Sequence, residues 1–253
     1  MIPVKVRTIE IGTGIPKICV PIVGVTQKEI LKAAEEIRMS AADLTEWRAD
    51  WYEDVFDREK TADTLCRLRD ILGDMPLLFT FRTAAEGGEK EIGKEDYIAL
   101  NRHAAQSGAA DLIDAEMFMG DGTVRELIDT AHRYGVKVIV SNHDFKATPE
   151  KYEIVARLRK MQELGADIPK IAVMPRNAKD VLTLLAATEE MVSEHAECPV
   201  ITMSMAGPGL ISRLCGEIFG SAVTFGAVGK TSAPGQIDAG EMRKALNLLH
   251  RSM

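Results

Sequence analysis

The chain has 253 residues, 46% of them hydrophobic and 27% charged, enough apolar material for one large core, so a single α/β barrel domain over residues 1–253 is expected. A formal charge of −7 leaves no basic footprint for a phosphate backbone, which excludes a nucleic-acid partner. Four scattered cysteines without a CxxC pair, no secretory signal and no apolar run near about 18 residues point to a cytoplasmic chain with no membrane association.

Residues 4–12 alternate apolar and charged side chains before Gly12, Thr13 and Gly14, the pattern of a short β-hairpin outside the main repeat. A regular alternation follows. Strand 18–23 leads to helix 27–39, strand 43–48 to helix 59–72, and strand 77–82 to helix 94–106. Strand 112–116 then precedes helix 124–134, and strand 137–141 precedes helix 149–164. Strand 168–174 with helix 178–194, strand 200–203 with helix 210–218, and strand 222–227 with helix 239–250 complete eight units. Thr26 and Thr148 stand where N-caps belong, Pro149 suits a first helical turn, and Gly73, Gly108, Gly135 and Gly165 follow helix ends. Strand then helix, eight times over, predicts a closed parallel (β/α)8 TIM-type barrel with a short N-terminal hairpin. An open doubly wound sheet is the alternative, but GxGxxG is absent after the first strand.

Chemistry in such a barrel collects at the C-terminal ends of the strands. Two runs rich in Val and Ile, 136–145 (VKVIVSNHDF) and 168–174 (IPKIAVM), each carry a residue that a buried strand does not tolerate without a purpose: His143 and Lys170. In DLTEWRAD, Leu44, Glu46, Arg48 and Asp50 share one face by alternation. Arg82 follows Leu78 and Thr80 on one face, Glu86 stands in the glycine-rich loop after it, and Asp114 and Glu116 close the fourth run. Blander readings stay open at this point: Glu46 with Arg48 as a structural ion pair, His143 as a cap or core residue, Asp144 as a turn residue, and Lys170 as a strand-entry side chain reaching water. Lys170 falls near the start of its run, so its amine must climb the barrel interior to reach the mouth.

Taken together, these passages resemble the type I 3-dehydroquinate dehydratase family of the shikimate pathway. The resemblance is carried by EWRAD at 46–50, TFRTAAEGGE at 80–89, DLIDAEMF at 111–118, VIVSNHDF at 138–145, PKIAVMP at 169–175, ITMSMAGPGLISR at 201–213 and SAPGQ at 232–236. Departures such as Pro21, Ala115 and Met117 touch no catalytic position. The resemblance implies that Lys170 forms a Schiff base with the substrate ketone, that His143 is the general acid and base, and that Glu86 orients the imidazole. It further implies that Glu46, Arg48, Arg82, Arg213, Ser232 and Gln236 bind the substrate's hydroxyls and carboxylate, with Met203 and Phe225 as pocket walls. It implies conversion of 3-dehydroquinate to 3-dehydroshikimate and water, no metal or diffusible cofactor, and a homodimer; closure of the SAPGQ loop over the ring, hinged at Gly229 and Gly235, is expected to exclude water. Two competing readings use the same residues: a Schiff-base aldolase whose FGAVGK stretch cradles a sugar phosphate, and a catalytically silent barrel that senses a polyhydroxy acid.

Overall fold

The structure, a computed structural model, describes residues 1–229 and 235–253. The first two strands, β1 (Val4–Val6) and β2 (Ile9–Ile11), pair antiparallel with Val4 opposite Ile11. Eight further strands form one parallel sheet: β3 (Lys17–Ile22), β4 (Leu44–Arg48), β5 (Leu77–Thr80), β6 (Leu112–Glu116), β7 (Lys137–Asp144), β8 (Ile168–Val173), β9 (Ile201–Ser204) and β10 (Val223–Phe225). β10 pairs with β3, and a parallel bridge between Val200 and Ser221 joins the last neighbours, so the sheet closes on itself. Helices α1 (Gln27–Arg38), α2 (Arg58–Leu72), α3 (Lys94–Gln106), α4 (Asp121–Arg133), α5 (Lys151–Leu164), α6 (Ala178–Glu190), α7 (Gly216–Phe219) and α8 (Ala239–His250) alternate with these strands. This is the TIM barrel that the alternating pattern predicts.

Alternation along the strands sorts the core into two parts. Outward-facing residues such as Val20, Trp47, Phe79, Ile113 and Val138 pack beneath the helices. Inward-facing Cys19, Leu44, Leu78, Leu112, Ile139, Ile168, Ile201 and Val223 fill the barrel interior together with Val4, Val6 and Ile11 of the hairpin. The hairpin therefore plugs the end of the barrel where the strands begin. That end is apolar and sealed, which leaves the other end for chemistry.

Local signals behave largely as the sequence suggests. Thr26 accepts from Glu29 N at 3.3 Å while Glu29 accepts from Thr26 N at 3.2 Å, a capping box that sets the start of α1. Gly73, Gly108, Gly135 and Gly165 all adopt the positive φ that ends a helix.

Four boundaries need correction. β7 runs three residues past the expected 137–141, because Asn142, His143 and Asp144 continue the ladder opposite Ile171, Ala172 and Val173. Thr148 and Pro149 do not open α5: Glu150 is the N-cap without a side-chain bond, and the Thr148 hydroxyl donates to the Met174 carbonyl at 3.1 Å, tying the loop to the end of β8. The expected helix 210–218 is instead a 3-10 turn over Gly207–Arg213 followed by the single turn of α7. Ser212 causes this by donating to the Gly209 carbonyl at 2.7 Å and accepting from Ser204 N at 2.9 Å, pinning the turn to the end of β9. The helix expected over 178–194 also stops at Glu190, where a π turn begins, closed by Ala196 N on the Met191 carbonyl at 2.7 Å.

Among the described residues, no helix is long and apolar enough to cross a membrane.

Candidate active site

At the C-terminal ends of the strands one cleft is lined by Glu46, Arg48, Arg82, Glu86, His143, Lys170, Met203, Arg213, Phe225 and Gln236, together with Gly87, Phe145, Ala172 and Met205. Of the residues to which the family resemblance gives a role in the site, only Ser232 is missing from this lining. It lies outside the described residues, as does Lys230 of the FGAVGK stretch.

Lys170 is the third residue of β8, inward by alternation between Ile168 and Ala172, and 3% exposed. Its side chain climbs the interior, as its early position in the strand requires. The ammonium ends 4.3 Å above the Phe225 ring, 3.9 Å from Glu46 Oε1 and 4.0 Å from Asp114 Oδ2. Its nearest charged partners are thus carboxylates. Ser141 stands opposite Lys170 in the ladder and His143 opposite Ala172, so the imidazole sits one inward position higher on the adjacent strand.

Glu86 holds the imidazole from behind. Its Oε2 accepts from the His143 backbone N at 2.8 Å and contacts Nδ1 at 3.0 Å, while Asn142 Nδ2 donates to Oε1 at 3.3 Å. With Glu86 ionised, Nδ1 carries the proton and Nε2 becomes the basic nitrogen of the ring. Burial, then Arg82, Lys170 and Arg48, push the His143 pKa well below its usual value, which keeps the ring neutral near pH 7. Burial also raises Glu86 to about 7, against the opposing pull of Arg82 and of its two backbone and amide donors, and with a further push from Glu116.

The loop that delivers Glu86 needs its glycines. A Cβ on Gly88 would stand 1.9 Å from the Arg82 carbonyl oxygen, and one on Gly87, at φ +84°, would strike the Phe145 ring at 2.3 Å. EGGE is therefore a close-approach turn: it folds back on the end of β5 and aims Glu86 at β7.

The arginines are held in different ways. Arg48 makes a bidentate pair with Asp50, both bonds at 2.8 Å, rather than with Glu46, which instead accepts from Thr80 Oγ1 at 2.9 Å. The structural-pair reading of Glu46 with Arg48 is replaced by this arrangement. Arg82 is enclosed: its guanidinium meets Glu116 Oε1 at 2.8 Å, Asp114 Oδ1 at 2.9 Å and Ser141 Oγ at 3.1 Å, with Glu86 Oε2 at 3.7 Å. Burial alone would lower the Arg82 pKa, but Asp114, Glu116 and Glu86 outweigh it and hold the group charged. Arg213, carried by the 3-10 turn after β9, donates to the Phe225 carbonyl at 3.3 Å and rests 3.9 Å from Met203 Sδ. Burial lowers its pKa to about 10, still a cation at neutral pH.

Asp114, Glu116 and Ser141 received no role in the sequence reading. All three are inward by alternation, with Glu116 opposite Ser141 in the ladder and Asp114 one inward position lower on β6, and that shared inward face is the signal that marks them as one cluster with Arg82. No group of three or more His, Cys, Asp or Glu among the described residues is arranged to hold a metal ion.

The electrostatics make a prediction about stability. The folded state holds the Glu86 proton more tightly than the unfolded chain does, since its pKa rises from 4.5 to about 7. The stabilisation is full below about pH 4.5 and lost as pH rises through about 7, amounting to about 3 kcal/mol. The depressed His143 acts with the opposite sign: its contribution is present above its ordinary 6.5 and is lost as pH falls. A Glu86→Gln variant removes only the first effect. Its Tm relative to the unsubstituted protein is expected to be several degrees more favourable at pH 8 than at pH 5, and a pH-independent difference by calorimetry would refute the shift.

Comparison with known proteins gives a consistent result. A family model described as Type I 3-dehydroquinase matches residues 18–253. A 3-dehydroquinate dehydratase of Clostridioides difficile (strain 630) is 56% identical over 99% of this chain and 98% of its own. The crystal structure of a type I 3-dehydroquinate dehydratase from Clostridium difficile with covalently modified comenic acid matches with a TM-score of 0.97 at 55% identity, covering 99% of both chains. That of a 3-dehydroquinate dehydratase from Geobacillus kaustophilus HTA426 matches with a TM-score of 0.96 at 41% identity, covering 98% of this chain and 96% of that one.

Proposed function

The chain belongs to the type I 3-dehydroquinase family and carries its 3-dehydroquinate dehydratase activity, a hydro-lyase step of the shikimate pathway, and we propose that it works through an imine on Lys170 with His143 as general acid and base. The observation that carries this reading is a buried amine sharing one cleft with a neutral, carboxylate-oriented imidazole.

Loss of water from a β-hydroxy ketone requires the carbon beside the carbonyl to give up a proton. A protonated imine is a stronger electron sink than the ketone, and only a lysine among the cleft residues can make one. The neutral amine of Lys170 attacks the ketone carbon, a C–N bond forms, and the carbonyl oxygen leaves as water. His143 Nε2 then takes the proton from the carbon next to the iminium, and the electron pair moves toward nitrogen. As it returns, the C–O bond of the β-hydroxyl breaks and His143 supplies the proton that makes the second water. Hydrolysis consumes one water and frees 3-dehydroshikimate, so the balance is one water lost per turnover. Glu86 keeps Nε2 aimed throughout by holding Nδ1–H at 3.0 Å. Glu46, 3.9 Å from the amine, and Arg48 take the ring hydroxyls, Gln236 and Arg213 line the same cleft, and Met203 and Phe225 supply its apolar wall. The covalently modified ligand in the Clostridium difficile relative is in keeping with a covalent step.

Borohydride treatment during turnover is the test. A stable mass addition on Lys170, located by peptide mapping, is expected; an enzyme that turns over without trapping any adduct would overturn the imine. Arg213 takes the substrate carboxylate in this scheme, because a guanidinium fork engages both oxygens and a partner anion relieves its burial. Arg213→Ala is expected to raise KM about 10- to 100-fold, the equivalent of losing a charge-assisted pair, with a smaller change in kcat. An unchanged KM in steady-state assays would remove Arg213 from that role.

A further inference from the structure

We propose that Asp114 is a positioning residue for the cation that forms at Lys170, holding the amine in the resting enzyme and keeping the imine nitrogen protonated during elimination. The inference rests on the imine reading above and goes beyond it by naming the counter-charge.

Asp114 is fully buried, and its two oxygens have different surroundings. Oδ1 accepts from Ser141 Oγ at 2.7 Å and pairs with Arg82 at 2.9 Å. Oδ2 is buried without a hydrogen-bond partner, 4.0 Å from the Lys170 ammonium. Leaving a carboxylate oxygen unsatisfied in a dry interior is costly, and the group can persist there only if a charge faces it. Lys170 is that charge. Glu46 is as close, at 3.9 Å, but the oxygen it presents is already taken by Thr80. The other groups facing the amine are Cys19 from β3, whose thiol is raised by burial and by Glu46 and lowered by Lys170, and the cations Arg48 and Arg82, which act with Lys170 on His143. Those arginines disfavour a further positive charge. Asp114 is placed to offset them, so that the nitrogen stays cationic, and thus electron-withdrawing, when the imine has formed.

Ser141 connects the two halves of the site. It donates to Asp114, receives a bond from Arg82, and stands directly opposite Lys170 in the ladder. The carboxylate is therefore fixed by the same strand that carries His143, which gives the amine and the base a common reference.

Asp114→Asn is a near-isosteric test, because the amide oxygen keeps the bonds of Oδ1 and only Oδ2 is exchanged for a neutral NH2. The readout is the pH dependence of trapping by cyanoborohydride, which reduces the protonated imine. In the unsubstituted enzyme, trapping is expected to persist to a higher pH; in the variant its midpoint should fall by about one unit or more, with KM changed less than about threefold. An adduct whose pH midpoint is the same in both proteins overturns the role of Asp114 while leaving the imine intact. No adduct in the unsubstituted enzyme overturns the imine and this inference with it. Should Asp114→Asn alone fail to fold, the Lys170→Met background decides: there Oδ2 no longer faces a cation, although Arg82 still pairs with Oδ1, so adding Asp114→Asn is expected to leave a folded protein with a Tm close to that of Lys170→Met, and a double variant that also fails to fold overturns the pairing.

Discussion

Replacing Lys170 with Met is expected to abolish turnover, by a factor on the order of 10⁴ to 10⁶, and to eliminate the borohydride adduct entirely. The size of the effect follows from what the residue supplies. Acid-base assistance and binding survive the substitution, but the electron sink does not, and among the described residues no other amine lines the cleft. Met has nearly the same length and fills the same channel above Phe225, so the barrel keeps its packing while losing the cation. Stability should change as well, because Asp114 and Glu46 then face each other without the charge between them, 4.0 and 3.9 Å from where it stood. A lowered Tm with an intact barrel by circular dichroism, no absorbance rise from the conjugated enone product, and an unmodified mass after borohydride are the combined expectation. Residual turnover above about one per cent would show that the ketone is activated by something other than this amine.

The barrel was legible because its physics is repetitive. Each β/α unit must bury one strand on both faces and one helix on one face, and eight such units leave a period that no other fold of this length matches. The places where the reading fell short are those where a polar residue does something local. Asn142, His143 and Asp144 fall outside the expected strand 137–141 because strand readings stop at polar residues, yet the mouth of a barrel is where a strand can carry them and still keep its ladder. Thr148 has the chemistry of a cap, but its hydroxyl finds the Met174 carbonyl first. Ser212 likewise turns an apparent helix into a 3-10 turn, and that turn is what delivers Arg213 to the cleft.

The site divides along a similar line. Lys170 and His143 stood out because each is anomalous in its own sequence context, and Glu86, one of several carboxylates in its loop, took its role from the family resemblance. Asp114 and Ser141 did not, since a carboxylate at a strand end and a serine in an apolar strand are individually ordinary. Their meaning lies in contacts that cross from one strand to the next, with Arg82 as the common partner, and one sequence without pairing register does not reveal it.

His143→Ala is expected to lower kcat by about 10² to 10⁴ while the Lys170 adduct still forms and now accumulates. The reasoning depends on which steps need a base. Attack by the amine requires only that Lys170 be neutral, and water in the open cleft can complete imine formation slowly. Removal of the carbon-bound proton has no such substitute in place: Glu86 keeps its bonds to the backbone N of residue 143 and to Asn142, and the Glu46 oxygen nearest the amine is taken by Thr80. The pH profile separates this role from a purely structural one. Since His143 titrates well below its usual value and Glu86 near 7, the acid limb of kcat/KM in the unsubstituted enzyme should report Glu86 ionising as it orients the ring. Deleting the ring removes the thing being oriented, so that limb should flatten in His143→Ala even though Glu86 remains. Near-normal kcat, or an acid limb still centred near 7 in the variant, would mean that Glu86 acts on the substrate directly and that His143 is not the proton carrier.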